Sequence, residues 1–247
     1  MALPALLRDN LSIPVVGAPL FIISNPTLVI EQCKAGVVGS FPALNARPKE
    51  VLKEWLKRIT GELGEYKAKH PDRKVAPFAV NQIVHGSNDR LMHDVELCEK
   101  YKVPIQITSL RAPDEVVPSA HRYGGLVFHD VTNVKHAKRA LQAGVDGLIL
   151  VCAGAGGHAG ALSPFALVAE VRQFYDGCLL LSGSIANGAS VLAAQAVGAD
   201  LAYIGTRFIA AKEANATDAN KQCIIDSTRS EEHTSELQSH LNLVCRL

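Results

Sequence analysis

The sequence lacks a long hydrophobic run, a secretory leader and an excess of either charge. Its uncharged stretches are broken by Gly, Pro and Ser, so none supplies the roughly 20 apolar residues of a membrane-spanning helix. The amino terminus has no basic segment followed by a long apolar stretch, which argues against a secretory signal. Lys and Arg total 25 against 24 Asp and Glu, and this balance gives no electrostatic reason to expect a nucleic-acid partner.

Cysteine pairs of the kind that bind zinc or redox partners are also missing. The six cysteines are scattered, and no two of them form a C-x-x-C pair. That spacing argues against a thiolate zinc site and a disulfide framework, and it favours a reducing compartment. Together these absences predict a soluble cytoplasmic protein with no membrane or nucleic-acid partner and no metal site.

What the sequence does contain is an alternation of short apolar runs with longer amphipathic stretches. The runs are rich in Val, Ile and Leu with little period-two alternation, which is typical of strands buried on both faces. We expect eight strands, at residues 14–20, 37–41, 76–84, 104–108, 125–131, 147–151, 178–183 and 201–210. We expect seven helices between them, at residues 25–35, 48–70, 87–101, 113–123, 133–143, 164–175 and 187–197.

Eight strands with intervening helices imply parallel pairing through right-handed crossovers. A doubly wound sheet would also satisfy this pattern. Eight near-equal repeats in a chain of 247 residues favour a (β/α)8 TIM barrel instead, since such barrels typically need about 250 residues. The last helix of the barrel would begin near Lys212.

The carboxyl-terminal segment differs from the rest of the chain. Residues 229–240 read RSEEHTSELQSH, which resembles the in-frame translation of a common sequencing-adapter oligonucleotide. We therefore expect residues 229–247 to be a non-native tail and residues 1–228 to form the barrel domain. The alternative is a genuine polar carboxyl-terminal helix. A foreign tail would mean that the barrel is truncated in or before its last helix, which leaves the outer faces of its eighth and first strands uncovered.

Two loops favour a phosphate site. In such barrels the active site lies at the carboxyl ends of the strands, and phosphates often bind the loops after strands 7 and 8. Here those loops contain Ser182-Gly183-Ser184 and Gly205-Thr206-Arg207. Glycines allow backbone N–H groups to approach a phosphate closely, and a helix that starts at Asn187 adds favourable partial charge. The alternative is that these glycines only form tight strand-to-helix turns.

The loop after the sixth strand, residues 153–160, is rich in glycine around a single histidine, His158. Its backbone can approach a planar ligand, which leaves the imidazole as the main functional group. An unperturbed imidazole has a pKa near 6.5, which suits a general acid or base at neutral pH. A structural histidine is the alternative, but the position at the carboxyl end of a strand favours a functional role.

These segments resemble the nitronate monooxygenase family, formerly called 2-nitropropane dioxygenases. The resemblance covers about residues 11–228 and implies an FMN-dependent barrel that works without a reductase partner. The matching motifs lie at residues 14–20, 81–82, 154–160, 182–188 and 198–208.

The resemblance also implies roles for single residues. His158 would be the catalytic base. Ala18 and Pro19 would lie against the isoalloxazine ring of FMN, and Gly156 and Gly157 would run beside the cofactor. The other implied cofactor contacts are Asn81 and Gln106 at the flavin, and Gly183, Ser184, Gly205 and Thr206 at its phosphate.

The implied reaction is the oxidation of a nitroalkane or alkyl nitronate by O2 to a carbonyl compound and nitrite. His158 would remove the acidic C–H proton, and the flavin would supply the redox step. Leu20 and Phe41 would line a pocket for a small apolar substrate. The sequence departs from the family twice: Leu20 stands where many relatives have Met, and His129-Asp130 stands where some have a Lys near the flavin.

Other functions fit parts of the pattern. A flavin-dependent enoyl-acyl-carrier-protein reductase shares the barrel and a similar Gly-Gly-His loop, but it would need NAD(P)H and an acyl-chain groove. An inactive truncated barrel is a further alternative. A Schiff-base aldolase is disfavoured because the strand ends carry no lysine. A metal-dependent hydrolase could use four side chains at strand ends, His85, His129, Asp130 and His158.

Overall fold

The computed structural model describes residues 3–157 and 160–227. Within them the strands are β1 Val15–Gly17, β2 Gly39–Pro42, β3 Phe78–Val84, β4 Ile105–Leu110, β5 Leu126–Val131, β6 Gly147–Val151, β7 Cys178–Ser182 and β8 Leu201–Ile204. The helices are α1 Ala5–Arg8, α2 Pro26–Lys34, α3 Val51–Lys69, α4 Leu91–Lys100, α5 Val116–Arg122, α6 Val134–Gln142, α7 Pro164–Arg172, α8 Gly188–Ala196, α9 Thr206–Ile209 and α10 Asp218–Asp226. None of these helices is long and apolar enough to cross a bilayer.

The strands form one closed parallel sheet. Their order is β1-β8-β7-β6-β5-β4-β3-β2, and β1 and β2 are joined by a parallel bridge between Val16 and Val38. The N–H of Gly17 donates to the carbonyl of Val38 at 2.8 Å, which supports this closure. Helices alternate with the strands along the chain. The predicted (β/α)8 barrel is therefore confirmed.

Caps at both ends explain why the helix boundaries fall close to those predicted. Asn25, Asn133 and Asn187 precede α2, α6 and α8, and each side chain accepts a hydrogen bond from an N–H of the first turn. This is the usual role of asparagine before a helix. Gly124 and Gly144, which follow α5 and α6, have φ angles of +81° and +86°. These are left-handed helix ends, a conformation that glycine adopts readily.

The core consists of two concentric layers. Inward-facing side chains such as Val16, Ile107 and Phe128 form the interior cluster of the barrel. At the amino-terminal end of the strands, α1 closes this interior with Leu7, which is fully buried. Outward-facing side chains such as Val80 pack against the surrounding helices. Most strand residues are therefore buried whichever way they face.

Two carboxylates tie neighbouring strands together at their amino-terminal ends. Asp146, which precedes β6, accepts a hydrogen bond from the N–H of Val127 in β5 at 2.7 Å. Asp200, which precedes β8, accepts one from the N–H of Leu179 in β7 at 2.8 Å. Asp200 also pairs with Arg172 of α7 at 2.8 Å, and the two side chains are 9% and 16% exposed, respectively. These bonds lie at the end of the barrel opposite the predicted active site.

The chain after β8 departs from the predicted course. The predicted eighth strand, residues 201–210, is too long, because β8 ends at Ile204 and residues 206–209 turn into α9. Likewise, α10 begins at Asp218 rather than near Lys212. It packs through Ile224 into a cluster that contains Leu20, Leu28 and Ile209.

A groove of about 350 Å³ lies on the outer side of the β8–β1 pair, between α8 and the segment that leads into β1. Its apolar walls include Ile13, Val15, Leu192 and Phe208. Ile13 is 51% exposed and Leu192 is 66% exposed.

Candidate active site at the carboxyl ends of the strands

Three hydrogen-bonded polar side chains lie in the barrel interior near the ends of β3, β4 and β5. Asn81 donates from Nδ2 to Oγ of Ser109 at 2.9 Å, and Oγ of Ser109 lies 2.6 Å from Oδ2 of Asp130. They follow interior residues such as Ile107 and Phe128 in steps of two, so they face the same way. We refer to Asn81, Ser109 and Asp130 as the mouth relay.

The hydrogen bonds of the mouth relay run in one direction, from Asn81 through Ser109 to Asp130. Nδ2 of Asn81 also lies 3.4 Å from the carbonyl oxygen of Ile107, so this amide group acts as a donor to both neighbours. The Ser109 hydroxyl then accepts from Asn81 and donates to Asp130. The other carboxylate oxygen of Asp130, Oδ1, is buried and has no hydrogen-bond partner among the described residues.

Burial raises the pKa of Asp130 from 3.8 to about 6, and the hydrogen bond from Ser109 offsets part of this effect. Tyr203 of β8 belongs to the same interior cluster. Its pKa is raised by burial and, to a lesser extent, by the negative charge of Asp130. The carboxyl group of Asp130 therefore ionises at about pH 6, and Oδ1 is an acceptor when the group is ionised and can carry the donated proton when it is protonated.

Gln106 and Phe41, both predicted to line the ligand site, lie on the outer faces of their strands. Gln106 is fully buried, and its Nε2 donates to the hydroxyl of Tyr123 after α5 at 3.2 Å. Phe41 packs against Trp55 of α3, with ring centroids 5.5 Å apart. Leu20, the other residue expected in the pocket, lies in the cluster with α10. The structure does not bring these three side chains to the mouth relay.

His129 and Asp130 are adjacent in β5, so they lie on opposite faces of the strand. Nδ1 of His129 is 2.8 Å from the hydroxyl of Thr108. Burial lowers the pKa of His129 to about 4, with a smaller contribution from His136. Two side chains that point apart cannot ligate one metal ion, and the described residues contain no group of three or more His, Cys, Asp or Glu arranged for a metal. The described geometry therefore gives the hydrolase hypothesis no support.

The loops after β6 and β7 rest on each other. The N–H of Ser184 donates to the carbonyl of Gly154 at 3.1 Å. Gly183 has a φ of +129°, and a Cβ there would lie 2.5 Å from the carbonyl oxygen of Ala153. Backbone conformation and contact both require glycine at this position. Because the N–H of Ser184 is already engaged, its hydroxyl is the group that remains for a ligand.

The loops after β7 and β8 meet near the amino end of α8. Nε of Arg207 in α9 donates to the carbonyl of Ala186 at 3.0 Å, and Asn187 and Ser190 cap α8 reciprocally. The first N–H groups of a helix have no intrahelical acceptor, so this corner is rich in donors. The structure thus brings the predicted phosphate ligands to the ends of two neighbouring strands: Gly183, Ser184, Gly205 and Thr206.

The remaining predicted site residues follow β1 and β6. Ala18 and Pro19 follow β1, and Ala18 packs against the interior cluster. Gly156 and Gly157 are exposed, and a Cβ at position 157 would meet no atom of the described residues within 4 Å. His158, the predicted catalytic base, lies outside the described residues, as do residues 228–247.

Sequence analysis did not identify Ser109 or Tyr203, and it named Asp130 only as a candidate metal ligand and as a departure from the family pattern. Strand periodicity finds two of them once an interior residue of the same strand is known. Ser109 stands two residues beyond Ile107, and Asp130 stands two residues beyond Phe128, and both reference residues are interior. Counting in twos from a known interior residue is therefore the signal.

Comparison with known proteins gives a family and a common fold. The family model described as nitronate monooxygenase matches residues 30–241. A nitronate monooxygenase of Neurospora crassa is 26% identical over an alignment of 263 positions with gaps. This alignment covers 94% of this chain and 69% of that protein. FabK from Thermotoga maritima superposes with a TM-score of 0.76 at 25% identity, over 92% of this chain and 69% of that one. A nitroalkane oxidase from Streptomyces ansochromogenes superposes with a TM-score of 0.77 at 24% identity, over 88% and 72%.

Proposed function

Because the chain belongs to the nitronate monooxygenase family, we propose that it holds FMN at the barrel mouth and oxidises alkyl nitronates or nitroalkanes with O2. The products are a carbonyl compound and nitrite. The observation that carries this proposal is the meeting of the loops after β7 and β8, joined by the Arg207–Ala186 hydrogen bond, at the amino end of α8. An anion placed there would meet the N–H groups of the first turn of α8 that the Asn187–Ser190 cap does not engage, and the positive end of the helix.

The described residues fit FMN in two ways. The glycine turns after β7 and β8 offer hydrogen-bond donors to a phosphate. Gly183, Ser184, Gly205 and Thr206 would hold that phosphate. The mouth combines the apolar surface of Ala18 with a polar relay whose last oxygen has no hydrogen-bond partner among residues 3–157 and 160–227. A bound flavin would supply the transfer of electrons from substrate to O2. In this proposal Pro19 lies with Ala18 against the ring, Asn81 lines its polar edge, and Gly156 and Gly157 run beside it.

His158 is the base of the proposed reaction. It removes the acidic C–H proton of a neutral nitroalkane, a step that an alkyl nitronate does not need because it has already lost that proton. His158→Asn should therefore abolish oxidation of 2-nitropropane and retain most of the oxidation of propyl-2-nitronate. Equal loss with both substrates would contradict a role as base.

The cofactor proposal is tested by the absorbance spectrum of the purified 247-residue chain. We expect flavin bands at roughly 370 and 450 nm, and we expect anaerobic propyl-2-nitronate to bleach them without NAD(P)H. Bleaching by NADH alone would instead favour the enoyl-acyl-carrier-protein reductase. A chain that binds no flavin at saturating FMN would overturn the proposal.

The phosphate loops can be tested separately. Thr206 is 6% exposed at the start of α9, and Thr206→Val removes its hydroxyl while keeping its shape. We expect this variant to raise the Kd for FMN by about tenfold, the usual effect of losing one hydrogen bond to a charged group. Thr60→Val, on the outer helix α3, makes the same chemical change far from the mouth and should leave the Kd unchanged.

A further inference from the structure

The mouth relay ends in an atom that the proposed reaction does not use. Oδ1 of Asp130 is buried, and no described residue donates a hydrogen bond to it. A buried acceptor without a donor carries an unrelieved desolvation cost. A ligand that brings a donor to this oxygen removes that cost, so Oδ1 favours ligands with an N–H or O–H at this place.

The hydrogen bonds of the mouth relay determine which oxygen of Asp130 is available to a ligand. Ser109 donates to Oδ2 at 2.6 Å, and Asn81 holds the hydroxyl of Ser109 in the orientation that makes it a donor. Since Oδ2 is engaged, Oδ1 is the oxygen left for the ligand. Among the described residues, Tyr203 of β8 is the side chain whose pKa is raised by the negative charge of Asp130.

We propose that Oδ1 of Asp130 accepts a hydrogen bond from the imide N–H of the isoalloxazine ring. This inference rests on the FMN site proposed above. The imide N–H lies between two carbonyl groups and is the hydrogen-bond donor of the oxidised ring, and an ionised carboxylate is a strong acceptor for such a group. Asp130 is thus a positioning residue for the cofactor rather than part of the machinery that transfers protons to or from substrate.

The polarity of the relay makes one substitution especially informative. In Asp130→Asn the amide oxygen takes over the hydrogen bond from Ser109, so the NH2 group faces the ligand. The acceptor at the mouth becomes a donor with almost no change in shape. Two N–H groups then face each other, which should raise the Kd for FMN by about tenfold or more. Asp114→Asn removes one negative charge at an exposed position, where the side chain is 56% exposed, and should leave the Kd unchanged.

A chemically modified ligand supplies the complementary change. FMN methylated at the imide nitrogen lacks the N–H, so the wild-type chain should bind it about tenfold more weakly than FMN. Asp130→Asn should bind the methylated and unmethylated cofactors with similar Kd values. The two changes are then non-additive, as expected for two groups that touch each other. Each Kd is measured at pH 7.5 by the quenching of flavin fluorescence on the full chain.

The outcomes separate this inference from the proposed function. If the wild-type chain binds FMN and Asp130→Asn binds it equally well, the Asp130 contact is wrong and the FMN site stands. If methylation weakens both proteins by the same factor, the imide N–H has a different partner, and the inference also fails. Failure of the wild-type chain to bind FMN would overturn the proposed function itself. A thermal melt of Asp130→Asn, expected to be cooperative, shows that a raised Kd does not reflect unfolding.

Discussion

Two adjacent residues of β5 should give the flavin-free chain opposite pH dependences of stability. The pKa of Asp130 is raised from 3.8 to about 6 by burial. The folded chain therefore binds more protons at this site than the unfolded chain between these values, and the free energy of unfolding falls as the pH rises through them. The pKa of His129 is lowered from 6.5 to about 4, chiefly by burial. Here the unfolded chain binds more protons, so stability rises over nearly the same interval.

The two contributions are similar in size. Each pKa unit corresponds to 1.36 kcal/mol, so the shift of about 2 units at Asp130 amounts to about 3 kcal/mol. The shift of about 2.5 units at His129 amounts to about 3 kcal/mol with the opposite sign. Between pH 4 and 6 the two contributions should nearly cancel in the wild-type chain. Replacing either residue alone should reveal the contribution of the other.

Asp130→Asn should gain about 3 kcal/mol of stability relative to the wild type as the pH rises from 4 to 6.5. His129→Asn should change by a similar amount in the opposite direction. Urea unfolding of the flavin-free proteins, followed by circular dichroism at intervals between pH 4 and 7.5, measures both differences. Each variant is compared with itself across pH, so a constant loss from altered packing does not matter.

Asp114→Asn provides the control, because it removes one carboxylate whose side chain is 56% exposed. Its stability should run parallel to that of the wild type across this range. The reasoning is refuted if the stability of Asp130→Asn follows the wild-type curve within about 0.5 kcal/mol from pH 4 to 6.5. Such a result would mean that the carboxyl group ionises in the folded chain at the same pH as in the unfolded chain.

Three further predictions concern other parts of the barrel. Asp200→Ala leaves the N–H of Leu179 without its acceptor and removes a partner of Arg172. Because both charges are largely buried, urea unfolding should show a loss of about 2–4 kcal/mol in the free energy of unfolding, with the Kd for FMN unchanged. A loss below about 1 kcal/mol would contradict the stabilising role of this buried ion pair. Gly183→Ala places a Cβ 2.5 Å from a carbonyl oxygen at a φ of +129°. A fluorescence titration should therefore show a Kd for FMN raised by at least about tenfold. An unchanged Kd would contradict the requirement for glycine at this position. Gln106→Met keeps the outer layer filled and should leave the Kd for FMN within twofold of wild type, whereas a tenfold rise would place Gln106 at the flavin after all.

The architecture could be predicted from the sequence because its signals are local and repeated. Runs of Val, Ile and Leu marked all eight strands, and the caps at Asn25, Asn133 and Asn187 marked helix starts. The same burial that made the strands recognisable concealed their orientation. In a sheet covered on both faces, inward and outward residues are equally apolar, so no alternation shows which way Gln106 or Asp130 points. Only the register of the sheet shows that the side chain of Gln106 points outward and that of Asp130 points inward.

The site could be predicted to the extent that it is made of backbone. Gly183 was identified because glycine lets backbone N–H groups approach a phosphate closely, and a glycine in the loop after the seventh strand can be recognised from its own position in the sequence. The mouth relay is different, since it joins side chains from three strands whose sequence separations are 28 and 21 residues. Contacts of this kind depend on how strands align across the barrel, and a single sequence does not encode that alignment locally.

A separate molecule bound in the apolar groove on the β8–β1 face would link the stability of this chain to mass action. An occupant that binds the folded chain and not the unfolded one raises the free energy of unfolding by RT ln(1 + [L]/Kd), which is about 2.7 kcal/mol at a hundredfold excess over Kd. If the occupant is a second copy of the chain, the melting temperature rises with protein concentration. If it is a segment of the same chain, the melting temperature is the same at every dilution.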